Sequence, residues 1–405
     1  TTEIYTLSLH DALPISYYGN IDGHFYLCSH EELVSLFEQL HRDDYVTKLE
    51  HYRWYHLYGE GLPGDISHYH ELKKLICNNY VIYSGGKFKT VRIWPREPIH
   101  MCADEEEYRK TVHQIAETMK SNLGLIAQKW ERPAVSVTGG RDSKGSLAAS
   151  IHIKEKYQYF SYNSQPAEKV DCDAAEAICK AVGVPHITYE IPLDKAVYPE
   201  YDLVRAILCV NSNRRYFNHN DIMKRIYLRK ANPFDVEVKS WTSEIGRAFY
   251  YKRYGVQRMQ KKCTARRVNA MNNIFLMNPA LMYATDARYR EYLRSTAYNE
   301  HMFNYDWSDI IDLEMRDSRW GADVLSCEHM FSHDVTVPYN NRRLSDLMLM
   351  VPLADRIADR THIDFTHELC PAIDATNISV RDVAHNNKRM WMDKIYYFIT
   401  SIRPF

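Results

Sequence analysis

The chain lacks the features that assign many proteins at first reading. Its 51 basic and 52 acidic side chains leave a net charge of −1, which removes the electrostatic case for nucleic acid or an anionic membrane surface as partner. No apolar run approaches the roughly 20 residues of a membrane-spanning helix. Its nine cysteines include no C-x-x-C pair, and an odd, scattered set suits a reducing compartment better than a disulfide framework. No secretory signal, internal repeat or low-complexity tract is recognisable, so the cytoplasm is the expected compartment. The Walker A and G-x-G-x-x-G spacings are missing. His367-Glu368 is followed by Pro371 where H-E-x-x-H needs its second histidine, so no zinc-protease reading survives.

What is present is an ordinary globular composition, 45% hydrophobic and 25% charged over 405 residues, which suits one large or two medium domains. Residues 1–16 are set apart. The string TTEIYTLSLHDALPI, 1–15, looks like the translation of a common short-read sequencing adapter, so neither fold nor function is expected of it, and the native start is expected to be missing.

Residues 17–100 read as β-rich. Asn20–Leu27 alternates around a glycine turn, and Tyr80–Tyr83 and Thr90–Trp94 flank Ser84-Gly85-Gly86, a hairpin signal. Between them Leu33, Leu36, Phe37 and Leu40 predict a helix over roughly Glu31–Leu40 with those residues on one face. Pro95 and Pro98 predict a boundary. From 104 to 130, Tyr108, Val112, Ile115, Met119, Leu123 and Ile126 recur at helical spacing. Strands are then expected at 134–137, 157–162 and 186–191, with helices after the first two and a helix stop at Gly183. That alternation predicts an α/β fold, a parallel doubly wound sheet, with a mostly helical half beyond residue 200.

The densest chemistry is AVSVTGGRDSKGS, 134–146. A strand, a glycine turn and a helix start make an anion cradle, because the first N–H groups of a helix are free. Thr138-Gly139-Gly140-Arg141-Asp142-Ser143 matches the S-G-G-x-D-S loop and resembles the pyrophosphate loop of the ATP pyrophosphatases. Its hydroxyls can donate to phosphate oxygens, its glycines admit close approach, and Asp142 can hold Mg²⁺. Such a site suits attack at the α-phosphate with pyrophosphate leaving.

Four further stretches narrow the resemblance. Residues 53–94 carry Tyr58-Gly59, Leu62-Pro63-Gly64 and Leu72-Lys73-Lys74-Leu75, similar to a "Y-G-x-x-P-G" join behind an amidotransferase-like domain. The strand end Phe160-Ser161-Tyr162, with Asp173 opening a helix expected over Ala174–Ala181 and His186 starting the next strand, forms the second. Lys239–Tyr250 is similar to G-x-G-[SA]-D-[EI]-x-x-G-[GY]-Y, with Ser240, Trp241 and Thr242 where a glycine-rich turn is expected, Glu244 at the aspartate and Tyr250 closing the motif. Glu314-Met315-Arg316 and Val337-Pro338-Tyr339-Asn340-Asn341 resemble a late helix pair and "P-F-L-D". In this order the stretches resemble the asparagine synthetase-related family, which includes β-lactam synthetase. The resemblance implies an adenine nucleotide α-hydrolase-like sheet domain over 101–405, behind a truncated amidotransferase-like (Ntn-type) remnant over 17–100.

It also implies an ATP-dependent amide-forming ligase. ATP and Mg²⁺ are the expected cofactors. Thr138, Gly139, Gly140, Arg141, Asp142, Ser143, Tyr162 and Asp173 would bind nucleotide, and Asp142 and Glu244 metal. Glu314 and Arg316 would lie on the acceptor side. The family's catalytic lysine is replaced by arginines in Leu353–Arg360, so Arg356 or Arg360 would stabilise pyrophosphate. The partners would be a small-molecule carboxylate and an amine or ammonia, glutamine-derived if a glutaminase cysteine precedes the chain, with a homodimer left open. Cys28, inside a strand, reads as an apolar filler. Two alternatives stand beside this reading: a degenerate, non-catalytic member that binds a nucleotide or a partner, and another reaction of the same loop. Cys327, His329 and His333 read as structural rather than metal-binding, and the basic run 261–267 as a solvated face.

Overall fold

Alternating strands and helices from Pro133 onward build a five-stranded sheet. In the computed structural model, residues 16–58, 61–211, 217–378 and 387–403 are described; the adapter-like segment 1–15 and Gly59 lie outside them. The sheet strands are β6 (Pro133–Ser136), β7 (Gln158–Asn163), β8 (Ile187–Glu190), β9 (Val236–Val238) and β10 (Asp334–Thr336), in the spatial order β10-β9-β6-β7-β8. Every pairing is parallel, with Ala134 opposite Gln158 and Pro133 opposite Val236. Both faces are covered, as the period of two requires. Val135 and Tyr159 join the core with Ile115, Leu147 and Ile178, whereas Ala134 and Phe160 pack on Leu228 and Phe234.

The helix Glu105–Lys129 buries all six side chains its periodicity singled out, each contributing about 1.5–3 kcal/mol by leaving water. Helix Pro166–Ala181 is longer at its start than the sequence suggested: Pro166 supplies the fixed first-turn geometry. Asp173 therefore lies inside this helix instead of opening it.

The N-terminal segment forms a three-stranded antiparallel sheet, ordered β2-β1-β3, from β1 (Tyr17–Ile21), β2 (His24–Cys28) and β3 (Lys73–Lys74). A separate hairpin pairs β4 (Asn79–Ser84) with β5 (Lys87–Arg92). The expected helix over 31–40 is a single short turn, Glu31–Ser35, and Leu36 and Phe37 are 73% and 79% exposed. Val34 is the apolar residue of this turn that is buried, beside Glu31, because five residues are too few to present a stripe. The prolines at 95 and 98 do not separate two cores: Ile76, Cys77, Trp94 and Ile99 belong to the main one. Lys74, fully buried, reaches Asp323 at 2.6 Å.

His68 pins Glu31 and Glu50 beneath this region, with Nε2 3.2 Å from Glu50. Burial alone would lower its pKa, but the two carboxylates raise it to about 9. A raised histidine stabilises fully below its unfolded pKa of about 6.5 and loses that contribution as pH rises through the folded value. Urea unfolding should therefore show stability falling by roughly 3 kcal/mol between pH 6.5 and 9.5, and His68→Gln should flatten that limb.

Candidate functional site

The chain lays down β6 first, adds β7 and β8 on one side, then crosses to β9 and β10 on the other. Strand order thus reverses between β6 and β9, and in open parallel sheets the crevice beyond the carboxyl ends at such a reversal is the usual ligand site. The loop 138–143 follows β6 and the turn 239–247 follows β9. They meet there. Asp142 accepts from the Ser243 hydroxyl and from Arg247 Nη1 at 2.9 and 2.7 Å, and Ser146 shares a 2.7 Å hydrogen bond with Ser240.

Local chemistry shapes the loop. Ser143 Oγ accepts from the Thr138 N–H at 3.0 Å and lies 3.0 Å from Thr138 Oγ1, while the Gly140 N–H donates to that same Oγ1 at 3.1 Å. Neither Gly139 nor Gly140 has positive φ, so the pair is not a left-handed turn. A Cβ on Gly140 would press on Thr138 Oγ1 at 3.2 Å, so the hydroxyl would have to shift by a few tenths of an ångström. Helix Arg141–Ser150 begins behind it with no side chain capping its N-terminus. The Gly139 N–H donates to Asp171 Oδ1 at 3.2 Å, so a carboxylate oxygen already sits on a loop amide.

The second turn is strained at both ends. Thr242 has φ 63° and Ala248 φ 48°, a region that costs an L-residue roughly 1–2 kcal/mol. Ala248→Gly removes that strain but gives up chain entropy in the unfolded state, so it should raise stability by up to about 1 kcal/mol, read as a higher urea midpoint at unchanged slope.

Behind the turn stands a π-helix, Asp312–Gly321, a rare geometry that often accompanies functional sites. From it Arg316 reaches Glu244 at 3.0 Å and Asp312 and Asp317 at 3.3 Å each. Burial pushes the pKa of Asp312 up to about 6 and that of Asp317 well above the carboxylate range. Arg316 also lines a cavity of about 400 Å³ with Phe249, Tyr250, Arg253, Met271 and Trp320. Trp241 stacks on Trp320 with ring centroids 5.4 Å apart.

Other residues singled out from sequence are placed elsewhere. Glu314 is fully buried and bound by Arg92 at 2.5 and 3.1 Å, by Asn78 at 2.7 Å and by the Tyr292 hydroxyl; its partners tie the N-terminal hairpin to the helices. Arg356 is locked onto Asp309 at 2.5 Å, and Arg360 pairs with Glu105 on the surface. Asp173 is exposed and pairs with Lys169; the residue this helix gives the loop is Asp171, two positions earlier. Arg141 lies in the first turn of the loop helix. Tyr162 points into a buried cluster, donating to Glu237 at 2.5 Å. In that cluster Glu237, Glu328 and His333 bring ligand atoms within 4.8 Å of one another, but Lys239 already bridges both carboxylates at 3.3 and 3.0 Å. His329 instead pairs with Asp334 at 3.0 Å, so the two histidines do not converge.

Sequence reasoning missed Arg247, Lys252, Asp359 and His362. Asp359 lies in the Leu353–Arg360 stretch quoted for its arginines, yet its acid is what reaches the site. Arg247 Nε and Nη2 donate to Asp359 at 2.8 and 3.3 Å, and Lys252 binds the same carboxylate. His362 is buried 3.8 Å from Asp142, and burial with Arg247 nearby lowers its pKa to about 3. Only the fold joins positions more than a hundred residues apart. No protein-family model matches the chain, and no curated protein matches it.

Proposed function

We propose that the chain is an ATP-dependent carbon–nitrogen ligase of the asparagine synthetase-related type, built on an adenine nucleotide α-hydrolase-like domain. The observation that carries this reading is the meeting of the 138–143 loop and the 243–247 turn where strand order reverses. A second observation supports it. Thr242 and Ala248 stand where the resembled motif carries glycine, and both adopt the positive φ for which glycine is the ordinary residue.

In this reading the loop amides and the uncapped helix start hold the pyrophosphate portion of ATP. A substrate carboxylate oxygen bonds to the α-phosphorus, the bond to the β-phosphate oxygen breaks, and its electron pair leaves on pyrophosphate. An amine or ammonia then attacks the acyl carbon, AMP departs with the electron pair of the acyl–oxygen bond, and the nitrogen gives up one proton to solvent. Asp142 and Glu244, the carboxylates that would hold Mg²⁺, are 23% and 26% exposed at the side chain, with the donor chemistry such an ion takes beside phosphates. Mg²⁺ bound there would neutralise phosphate charge. The cavity beside Arg316 offers the carboxylate or amine a compartment with apolar walls and guanidinium groups.

One observation favours the degenerate, partner-binding alternative: each metal carboxylate is already paired with an arginine, Asp142 with Arg247 and Glu244 with Arg316. Pyrophosphate release from ATP and Mg²⁺ across a panel of carboxylic acids separates the two. A ligase should release pyrophosphate with one class of acid and lose roughly 100-fold or more of that rate in Asp142→Asn. ATP binding without release for any acid would leave the binding module.

A further inference from the structure

We propose that Arg247 is the cation that receives the phosphates at the 138–143 loop, and that Asp142 occupies it until they arrive. This rests on the ATP reading above and deepens it, because the arginines singled out in the 353–360 stretch are committed elsewhere.

The guanidinium of Arg247 has two working edges. One edge, Nε and Nη2, is forked onto Asp359. The other, Nη1, points to Asp142. The two anions are not equivalent. The Asp359 side chain is 2% exposed and also binds Lys252, whereas that of Asp142 is 23% exposed. Asp359 is thus the fixed anchor and Asp142 the exchangeable partner. With one edge anchored, Nη1 keeps its aim at the loop whichever anion occupies it. Arginine suits that task, since its planar fork can serve a carboxylate on one edge and a phosphate on the other.

Nearby polar groups point to a ligand that the described residues do not supply. Among the described residues, both ring nitrogens of His362 and the hydroxyl of Thr242 are buried without a hydrogen-bond partner, although buried polar groups are ordinarily satisfied. His362 sits beside Asp142, and Thr242 immediately precedes Ser243, which donates to Asp142. A phosphate chain entering there would bring acceptor oxygens to the Thr242 hydroxyl, to the single ring N–H that a neutral His362 carries, and to Nη1. When the bond between the α- and β-phosphates breaks, charge grows on the leaving pyrophosphate, where a preoriented guanidinium is most effective.

The consequence is a competition. Asp142 and pyrophosphate share one guanidinium, so without a divalent cation Asp142 acts against phosphate binding. Calorimetric titration of inorganic pyrophosphate and of ATP, each in EDTA and again with Mg²⁺, tests this on the full chain. In EDTA, Arg247→Met should weaken pyrophosphate binding at least tenfold, and Asp142→Asn should tighten it several-fold. Arg247→Lys keeps the charge but loses the fork and should fall between Arg247→Met and the unaltered chain. Arg247→Met binding pyrophosphate as well as the unaltered chain, or Asp142→Asn weakening it in EDTA, would overturn the inference while leaving the loop reading intact. No binding of either ligand by the unaltered chain, with or without Mg²⁺, would overturn both.

Discussion

Glu314→Ala should cost about 3–5 kcal/mol of folding stability, because it strands a buried guanidinium. Arg92 is 1% exposed at its side chain and bonds both oxygens of Glu314. The same carboxylate accepts from Asn78 and Tyr292, which would also lose their acceptor in the interior. Replacing both charges, as in Arg92→Met with Glu314→Met, should recover the share due to the stranded guanidinium, while Asn78 and Tyr292 stay without their acceptor. Urea unfolding of the two single variants and the double variant measures this directly. The outcome also assigns Glu314. A folded Glu314→Ala protein with ordinary stability and no turnover would place the residue in the chemistry; an unstable protein rescued by the second substitution places it in the architecture.

Asp359→Asn should cost a similar amount, about 3 kcal/mol, and should act on the site as well. Burial alone would raise the pKa of Asp359, but Arg247 and Lys252 hold it well below the ordinary carboxylate range. A depressed carboxylate stabilises above its unfolded pKa of about 3.9 and loses that contribution as pH falls through the folded value. The variant should therefore differ most from the unaltered chain at neutral pH and begin to approach it in acid, so the gap measured by unfolding at pH 3 should be smaller than at pH 7. Asparagine tolerates the left-handed backbone at this position, where φ is 61°, so the comparison isolates charge. With its anchor weakened, Arg247 should also lose hold on pyrophosphate in the titration described above. An Asp359→Asn protein as stable as its parent at pH 7 would show that Lys252 and Arg247 are satisfied without it.

Both effects concern residues that sequence pattern handles poorly. A buried ion pair has no period and no fixed spacing. Arg92 and Glu314 are 222 positions apart, and Asp142 and Arg247 105 apart. The same limit explains the choice of Arg356 and Arg360 as pyrophosphate cations: an arginine in a plausible stretch carries no mark of where its guanidinium will point. Each found a carboxylate on its own side of the fold, Asp309 and Glu105. Helix phase made the same difference to Asp173 and Asp171. The resemblance assigns Asp173 to the nucleotide, and only the angular position on Pro166–Ala181 decides that Asp171 is the one that meets Gly139.

What the amino-acid order determined by itself is local and periodic. The six apolar residues of Glu105–Lys129, the alternation that faces Val135 and Ala134 to opposite cores, and the strand–turn–helix at 134–146 follow from side-chain spacing and backbone sterics. Those reach no further than a few residues along the chain. The reversal of strand order, the closure of the second turn onto Asp142 and the fork of Arg247 between two carboxylates came only with the tertiary structure. Charge pairing in a buried site is settled by which groups the packing leaves within about 4 Å, where a Coulomb interaction outweighs its neighbours, and that distance is a property of the whole fold.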